Sequence, residues 1–130
     1  MNKYAIINKD SFPIAKIIFT GIDANDQNFE SYLNEVKNIY EQGKQVALIF
    51  DATLAVFPAL KYQIIQAKWL KENEQLMKAN CEGTAYIIPK LVIRNVLKAI
   101  FKIQKQPVPY LICKTNMEAE IWTKNQLSNK

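Results

Sequence analysis

The stretch from Gln45 to Leu60, Q-V-A-L-I-F-D-A-T-L-A-V-F-P-A-L, constrains the fold of this chain more than any other. Val46 to Phe50 is apolar at every position, so neither face of this strand can meet water. Such a strand lies inside a sheet covered on both sides, which places it at the centre of an α/β layer. It stops at Asp51, and Pro58 starts a helix a few residues on, where proline's missing N–H would have been unpaired anyway. The carboxyl end of such a strand, here Asp51 and Thr53, is the edge at which open α/β sheets place a ligand crevice.

The flanking sequence supplies the rest of the layer. Tyr4 to Asn8 and Ile14 to Thr20 read as strands joined by a turn over Lys9 to Pro13, the second rich in β-branched residues and ended by Gly21. Phe29, Leu33, Val36 and Tyr40 form one apolar stripe on a helix from Asp26 to Gln42, capped by Asn25 or Asp26 and closed by Gly43. The helix that Pro58 starts runs to Ala79, with Tyr62, Ile65, Trp69, Leu76 and Met77 on one face and Lys61, Lys68, Lys71 and Lys78 largely opposite. A loop over Cys81 to Gly83 leads to a strand from Thr84 to Ile88, and a third helix spans Leu91 to Gln104. Pro107 and Pro109 keep the next connection extended before a short strand, Tyr110 to Cys113. Thr115 and Glu118 match a capping box for a last helix that buries Ile121 and Trp122 and runs to Leu127, with Ser128 to Lys130 as a frayed end.

The order β-β-α-β-α-β-α-β-α predicts one α/β domain over residues 1–130, with a mostly parallel five-stranded sheet and an antiparallel first strand at its edge. This order, together with A-L-I-F-D-A-T before the long helix, the proline loop before the last strand and E-A-E-I-W in the last helix, resembles the STAS family. Within that family, the fold of bacterial anti-sigma-factor antagonists, the chain is most similar to the small SpoIIAA-like branch, which is also grouped with the Sec14-type lipid-binding fold. The resemblance implies a scaffold that binds a protein or a ligand. Regulatory members carry a phosphorylatable serine in a D-S-S-G-type loop, but here the region reads V-F-P-A-L-K and no serine occurs between Ser31 and Ser128. Thr53 lies too early in the loop to stand in for it, so the switch is not carried over.

Absences narrow the chemistry. The chain has no histidine, which removes the commonest general base and metal ligand and every Ser-His or Cys-His nucleophile. No carboxylate-rich D-x-D-x-D-G loop, P-loop, G-x-G-x-x-G or G-x-S-x-G is present, and Gly21, Gly43 and Gly83 read as isolated turn glycines. No cofactor, metal site or nucleotide enzyme is expected. Cys81 and Cys113 stand outside any C-x-x-C spacing and fit two free thiols in a reducing compartment. No apolar run approaches the roughly 20 residues that span a bilayer, and the start of the chain lacks signal-peptide character, so an intracellular, cytoplasmic location is expected. A net charge of +5 invites an anionic partner without requiring one.

The candidate site gathers at the carboxyl end of the central strand. Asp51 either meets a ligand or caps the turn that follows it. Phe57, Leu60 and Ile64 fall off the Trp69 stripe, as a greasy pocket wall, as a partner surface, or packed beneath the Thr53 to Val56 loop. Lys90, Arg94, Lys98 and Lys102 recur every four residues beside an apolar arc on the third helix that includes Phe101. That arc covers roughly 200° at about 100° per residue, which fits a helix that meets a partner or membrane surface, or simply a well-buried one. The interleaved aromatics of a nucleic-acid module are missing. Two functions follow as expectations. The first is a non-enzymatic interaction domain that binds a protein partner or forms a homodimer through Phe57, Leu60, Ile64 and the third helix. The second is a carrier of a small molecule or anionic lipid near Asp51, Thr53 and Phe57, with Lys90 and Arg94 holding the headgroup. A closed apolar cavity favours the second, and a flat apolar patch the first.

Overall fold

The computed structural model describes residues 2–128. Its elements are β1 (Ala5–Asn8), β2 (Ile14–Phe19), α1 (Asp26–Tyr40), β3 (Val46–Asp51), α2 (Leu60–Glu72), α3 (Glu74–Asn80), β4 (Cys81–Ile87), α4 (Leu91–Ile103), β5 (Tyr110–Cys113) and α5 (Asn116–Ser128). The strands form one five-stranded sheet in the order β1-β2-β3-β4-β5. β1 runs antiparallel to β2, and β2 to β5 are parallel. The fold is therefore the α/β layer that the element order predicts, with β3 at its centre and buried at every position from Val46 to Phe50.

Strand order decides where the helices go. Right-handed crossovers between parallel strands that follow one another in space place every connecting helix on the same face. Accordingly α1, α2, α3 and α4 share one apolar core with Leu48, Phe50 and Tyr86. Only α5, which follows the last strand, lies on the opposite face, against Ile49, Ala85, Ile87 and Cys113. Period-2 alternation sends Ile49 to one face and its neighbour Phe50 to the other.

Several boundaries differ from the sequence expectation. The long helix breaks in two at Asn73, a buried residue whose side-chain amide donates to the Trp69 carbonyl at 2.9 Å. An asparagine amide competes with the backbone for that carbonyl, and Asn73 alone separates the end of α2 from the start of α3. Pro58 precedes α2 by two residues rather than opening it, and Ala59 is the N-cap. β4 starts at Cys81 instead of Thr84, across a register irregularity opposite Val46 and Ala47. Gly83 is thus a strand residue, and its role is close approach: a Cβ there would meet the Trp122 ring of α5 at 2.8 Å.

α1 is capped by Asn25, in a reciprocal box with Asn28 at 2.8 Å in each direction. It ends at Tyr40, with Gly43 at φ +74° two residues beyond the Glu41 cap. At the start of α5 the Glu118 N–H donates to Thr115 Oγ1, but the Glu118 carboxylate takes the Thr115 hydroxyl rather than its N–H, so half of the expected box forms. α5 buries Ala119 and Thr123 and leaves Trp122 half-buried, while Ile121 is exposed because the close approach at Gly83 turns the helix on its small residues. Ser128 closes that helix, and the rest of the expected frayed end lies outside the described residues.

Candidate functional site

Three rings from three neighbouring strands lie side by side on the four-helix face. Phe50 of β3 is stacked between Phe19 of β2, at 6.1 Å and 19°, and Tyr86 of β4, at 5.3 Å and 10°. Phe50 and Tyr86 are direct cross-strand partners, the spacing at which aromatic side chains meet. With both of its faces taken, Phe50 turns its ring edge to the helices. Between this floor and the helices lies a cavity of about 110 Å³, walled by Tyr32 and Tyr40 of α1, Gln66 and Trp69 of α2, and Ile93, Leu97 and Phe101 of α4. The loop from β3 to α2 closes one side with Ala52, Ala55, Val56 and Pro58.

The wall is aromatic and carries few polar atoms, most of them committed. The Tyr32 hydroxyl donates to Gln66 Oε1 at 3.3 Å, and Gln106 Nε2 donates to the Tyr86 hydroxyl at 2.7 Å. Gln106 Oε1 in turn accepts from the Val108 N–H, which fastens the proline loop to the sheet. Gln63 Nε2 donates to the Pro58 carbonyl and ties α2 to the loop before it. Tyr40, which is 1% exposed, adds its ring to the same wall. Burial pushes the phenols of Tyr32, Tyr40 and Tyr86 well above their ordinary range and that of Tyr4 up to about 12. Cys81, beneath the same layer, is pushed up to about 11 by burial. All of these groups are neutral at physiological pH, so the cavity carries no charge of its own.

Of the residues expected to form the site, only Phe101 lines this cavity. Asp51 accepts from the Thr53 N–H at 3.0 Å and from its hydroxyl at 2.6 Å, so the two brace the turn after β3. The sheet order never reverses, so there is no switch point, and the space that reaches this edge is the cavity itself, lined there by Ala52, Ala55, Val56 and Pro58 just after Asp51. Phe57 and Leu60 are 61% and 65% exposed, and Ile64 is exposed as well, so the loop does not cover them. Lys90 and Lys98 stand in solvent, and Arg94 is partly buried, with a buried Nε that makes no hydrogen bond. Of the apolar arc on α4, Ile93, Val96 and Ile100 are buried, whereas Leu91, Val92 and Ile103 are exposed. Neighbouring α1 and α2 are tied at their amino ends by Asp26, which accepts from Lys61 Nζ at 2.7 Å and from the Tyr62 hydroxyl at 2.8 Å. Those bonds, to Lys61 first, hold the Asp26 carboxyl below its ordinary range.

Sequence reasoning missed the tyrosines and glutamines that line the cavity. A signal was present: Tyr32, Tyr40 and Tyr86 carry a polar tip on faces that must be buried, and such tips require a partner. Cys81 and Cys113 are both free and buried. Among the described residues no cluster of three or more metal-ligating side chains occurs, and no helix is long and apolar enough to cross a membrane. No family model, no curated protein and no solved structure matches this chain.

Proposed function

We propose that this chain is a non-enzymatic binding domain that carries or senses a small apolar molecule between the sheet and the four-helix layer. The observation that carries this reading is the cavity itself. A dry apolar cavity of about 150 Å³ is known to hold a benzene ring, and the space here is of that order. Its walls are aromatic and uncharged, and Leu54 and Phe57 stand exposed on the loop that closes it. A headgroup held by Lys90 and Arg94 forms no part of this reading, because neither residue lines the cavity. The test is native mass spectrometry of the full chain as purified, followed by titration with toluene under calorimetry. A retained or added small molecule that is lost in Ala55→Leu, a substitution that fills the wall, is the expected result. Absence of any bound species in both experiments would overturn it.

A second observation favours a partner. Leu54, Phe57, Leu60, Ile64, Leu91 and Val92 are all exposed. They sit on the β3–α2 loop and the first turns of α2 and α4, two helices in contact that both begin at the carboxyl edge of the sheet. Exposed apolar groups gathered at one edge suit a protein surface or another copy of this chain. Size-exclusion chromatography with light scattering tests this. A dimer that Leu60→Asp dissociates supports it, and a strict monomer counts against self-association. The STAS-like, SpoIIAA-like assignment and a cytoplasmic setting belong to the same proposal. They rest on the element order and, for the setting, on the two unpaired cysteines. Without the switch serine, the assignment brings the scaffold and a binding role but no phosphorylation.

A further inference from the structure

We infer that the outer face of α2 and α4, together with the β3–α2 loop, docks on the surface of an anionic lipid bilayer. This concerns the outside of the helical layer and holds whether or not the cavity beneath it is filled.

Charge is spread unevenly along the chain. Residues 52–71 and 83–117 contain none of its 12 Asp and Glu and more than half of its 17 Lys and Arg. The first stretch is the β3–α2 loop with all of α2 but Glu72, and the second includes α4 and β5. α2 and α4 are in contact, so the fold sets two helices almost free of acid side by side. On a wheel of about 100° per residue, Leu60, Ile64, Lys68 and Lys71 share one quadrant of α2, and Leu91, Lys98 and Lys102 a narrower sector of α4. All of them are exposed. Among the described residues, Lys68, Lys71, Lys90, Lys98 and Lys102 enter no ion pair. The carboxylates that border this face leave it cationic. Asp26 of α1 is bonded to Lys61, Asp51 holds Thr53, and Glu72 is the last residue of α2.

Apolar groups stand between these cations. Phe57, Leu60, Ile64, Leu91, Val92 and Ile103 are exposed, all but Ile64 by more than half. Lysines alone would suit any polyanion, but a purely ionic partner gives the apolar side chains nothing to bury against. A bilayer surface offers both, anionic headgroups at the level of the ammonium groups and hydrocarbon just beneath. Lysine suits that boundary, because its methylene stem lies along apolar surface while its head stays in water. A second copy fits less well. A two-fold contact presents one patch to itself, which sets lysines against lysines with no carboxylate between them.

The test is flotation of the full chain with vesicles of phosphatidylcholine alone and of a two-to-one mixture with phosphatidylserine. The chain should bind the mixed vesicles at about 0.1 M salt and bind at least about tenfold more weakly at about 1 M, where the screening length is only about 3 Å. Lys98→Gln/Lys102→Gln should lower partitioning about 25-fold, at about fivefold per cation. Leu60→Ser, which leaves the charge unchanged, should lower it about tenfold through lost apolar burial. Lys9→Gln/Lys124→Gln removes the same charge from the β1–β2 turn and from α5, and should stay within about twofold. Circular dichroism checks that each variant is folded. No binding to the mixed vesicles at low salt, or equal binding to both compositions, would overturn the inference. Equal losses in the two lysine pairs would overturn it too, by reducing the effect to net charge. A chain that dimerises or holds an acidic protein through Leu60 while ignoring vesicles would assign the face to protein instead. Ligand retention in the cavity, read by mass spectrometry, is untouched by any of these results.

Discussion

The two faces of the sheet are packed to different standards. On the α5 face, Ile49, Ala85, Ile87 and Ala119 meet without room to spare, and Gly83 lets the Trp122 ring rest almost on the β4 backbone. On the other face, four helices and a row of rings leave about 110 Å³ unfilled. Interiors are otherwise packed like organic crystals, so a void of this size needs a cause. Small residues on the α5 side let helix and strand close up. Bulky aromatics on the opposite side hold the layers apart, because stacked rings cannot interdigitate as aliphatic side chains do. All the tyrosines with strongly raised titration sit on that looser face, which makes the two faces separable by experiment.

The largest difference should appear at alkaline pH. The folded-state values of Tyr4, Tyr32, Tyr40 and Tyr86 lie above that of an unfolded tyrosine, and Tyr4 reaches about 12. Their contribution to stability is complete below the ordinary tyrosine range near 10 and is lost as pH rises through the folded values. Circular dichroism with phenolate absorbance should show the domain unfolding cooperatively above about pH 10, with the buried tyrosines ionising only as it does so. Smooth ionisation in a folded protein would mean that the looser face is open to water.

A substitution on the tight face comes next. Gly83→Ala places a methyl group against Trp122 and should cost about 1–3 kcal/mol in urea unfolding, the range for overpacking. The same kind of enlargement on the other face, Ala55→Leu, has a void to grow into and should change stability by less than about 1 kcal/mol. Equal costs at the two positions would erase the distinction between the faces. The smallest effect belongs to the rim: Leu60→Asp, on a side chain 65% exposed, should stay within about 0.5 kcal/mol of the parent. A larger loss would show that the rim is packed rather than presented.

How much of this was legible beforehand follows the range of the interactions. The capping residue Asn25, the central strand and the order of elements rest on neighbours in sequence, and they were readable from local pattern. Asp51 could be read as a brace because the group it holds, Thr53, is two residues away. The break at Asn73 was not readable, since it depends on the burial of one amide against Trp69 rather than on helix periodicity. Ile121 was misread for a related reason: which stripe of α5 faces inward is set by the approach of Trp122 to Gly83, about forty residues earlier in the chain. The cavity was invisible as a unit, because its walls come from three strands, four helices and the segments that connect them.

Sequence alone determined that this chain is a single α/β layer with an apolar central strand, and that histidine-based chemistry is closed to it, because periodicity and composition act locally. Tertiary structure decided which side of the sheet each helix covers, since strand order and crossover handedness are properties of the assembled sheet. It also decided that the open space lies under the helices and meets the edge marked by Asp51 at Ala52, Ala55, Val56 and Pro58. That space is what remains when Phe19, Phe50 and Tyr86, brought together by strand pairing, stack on one another instead of filling it.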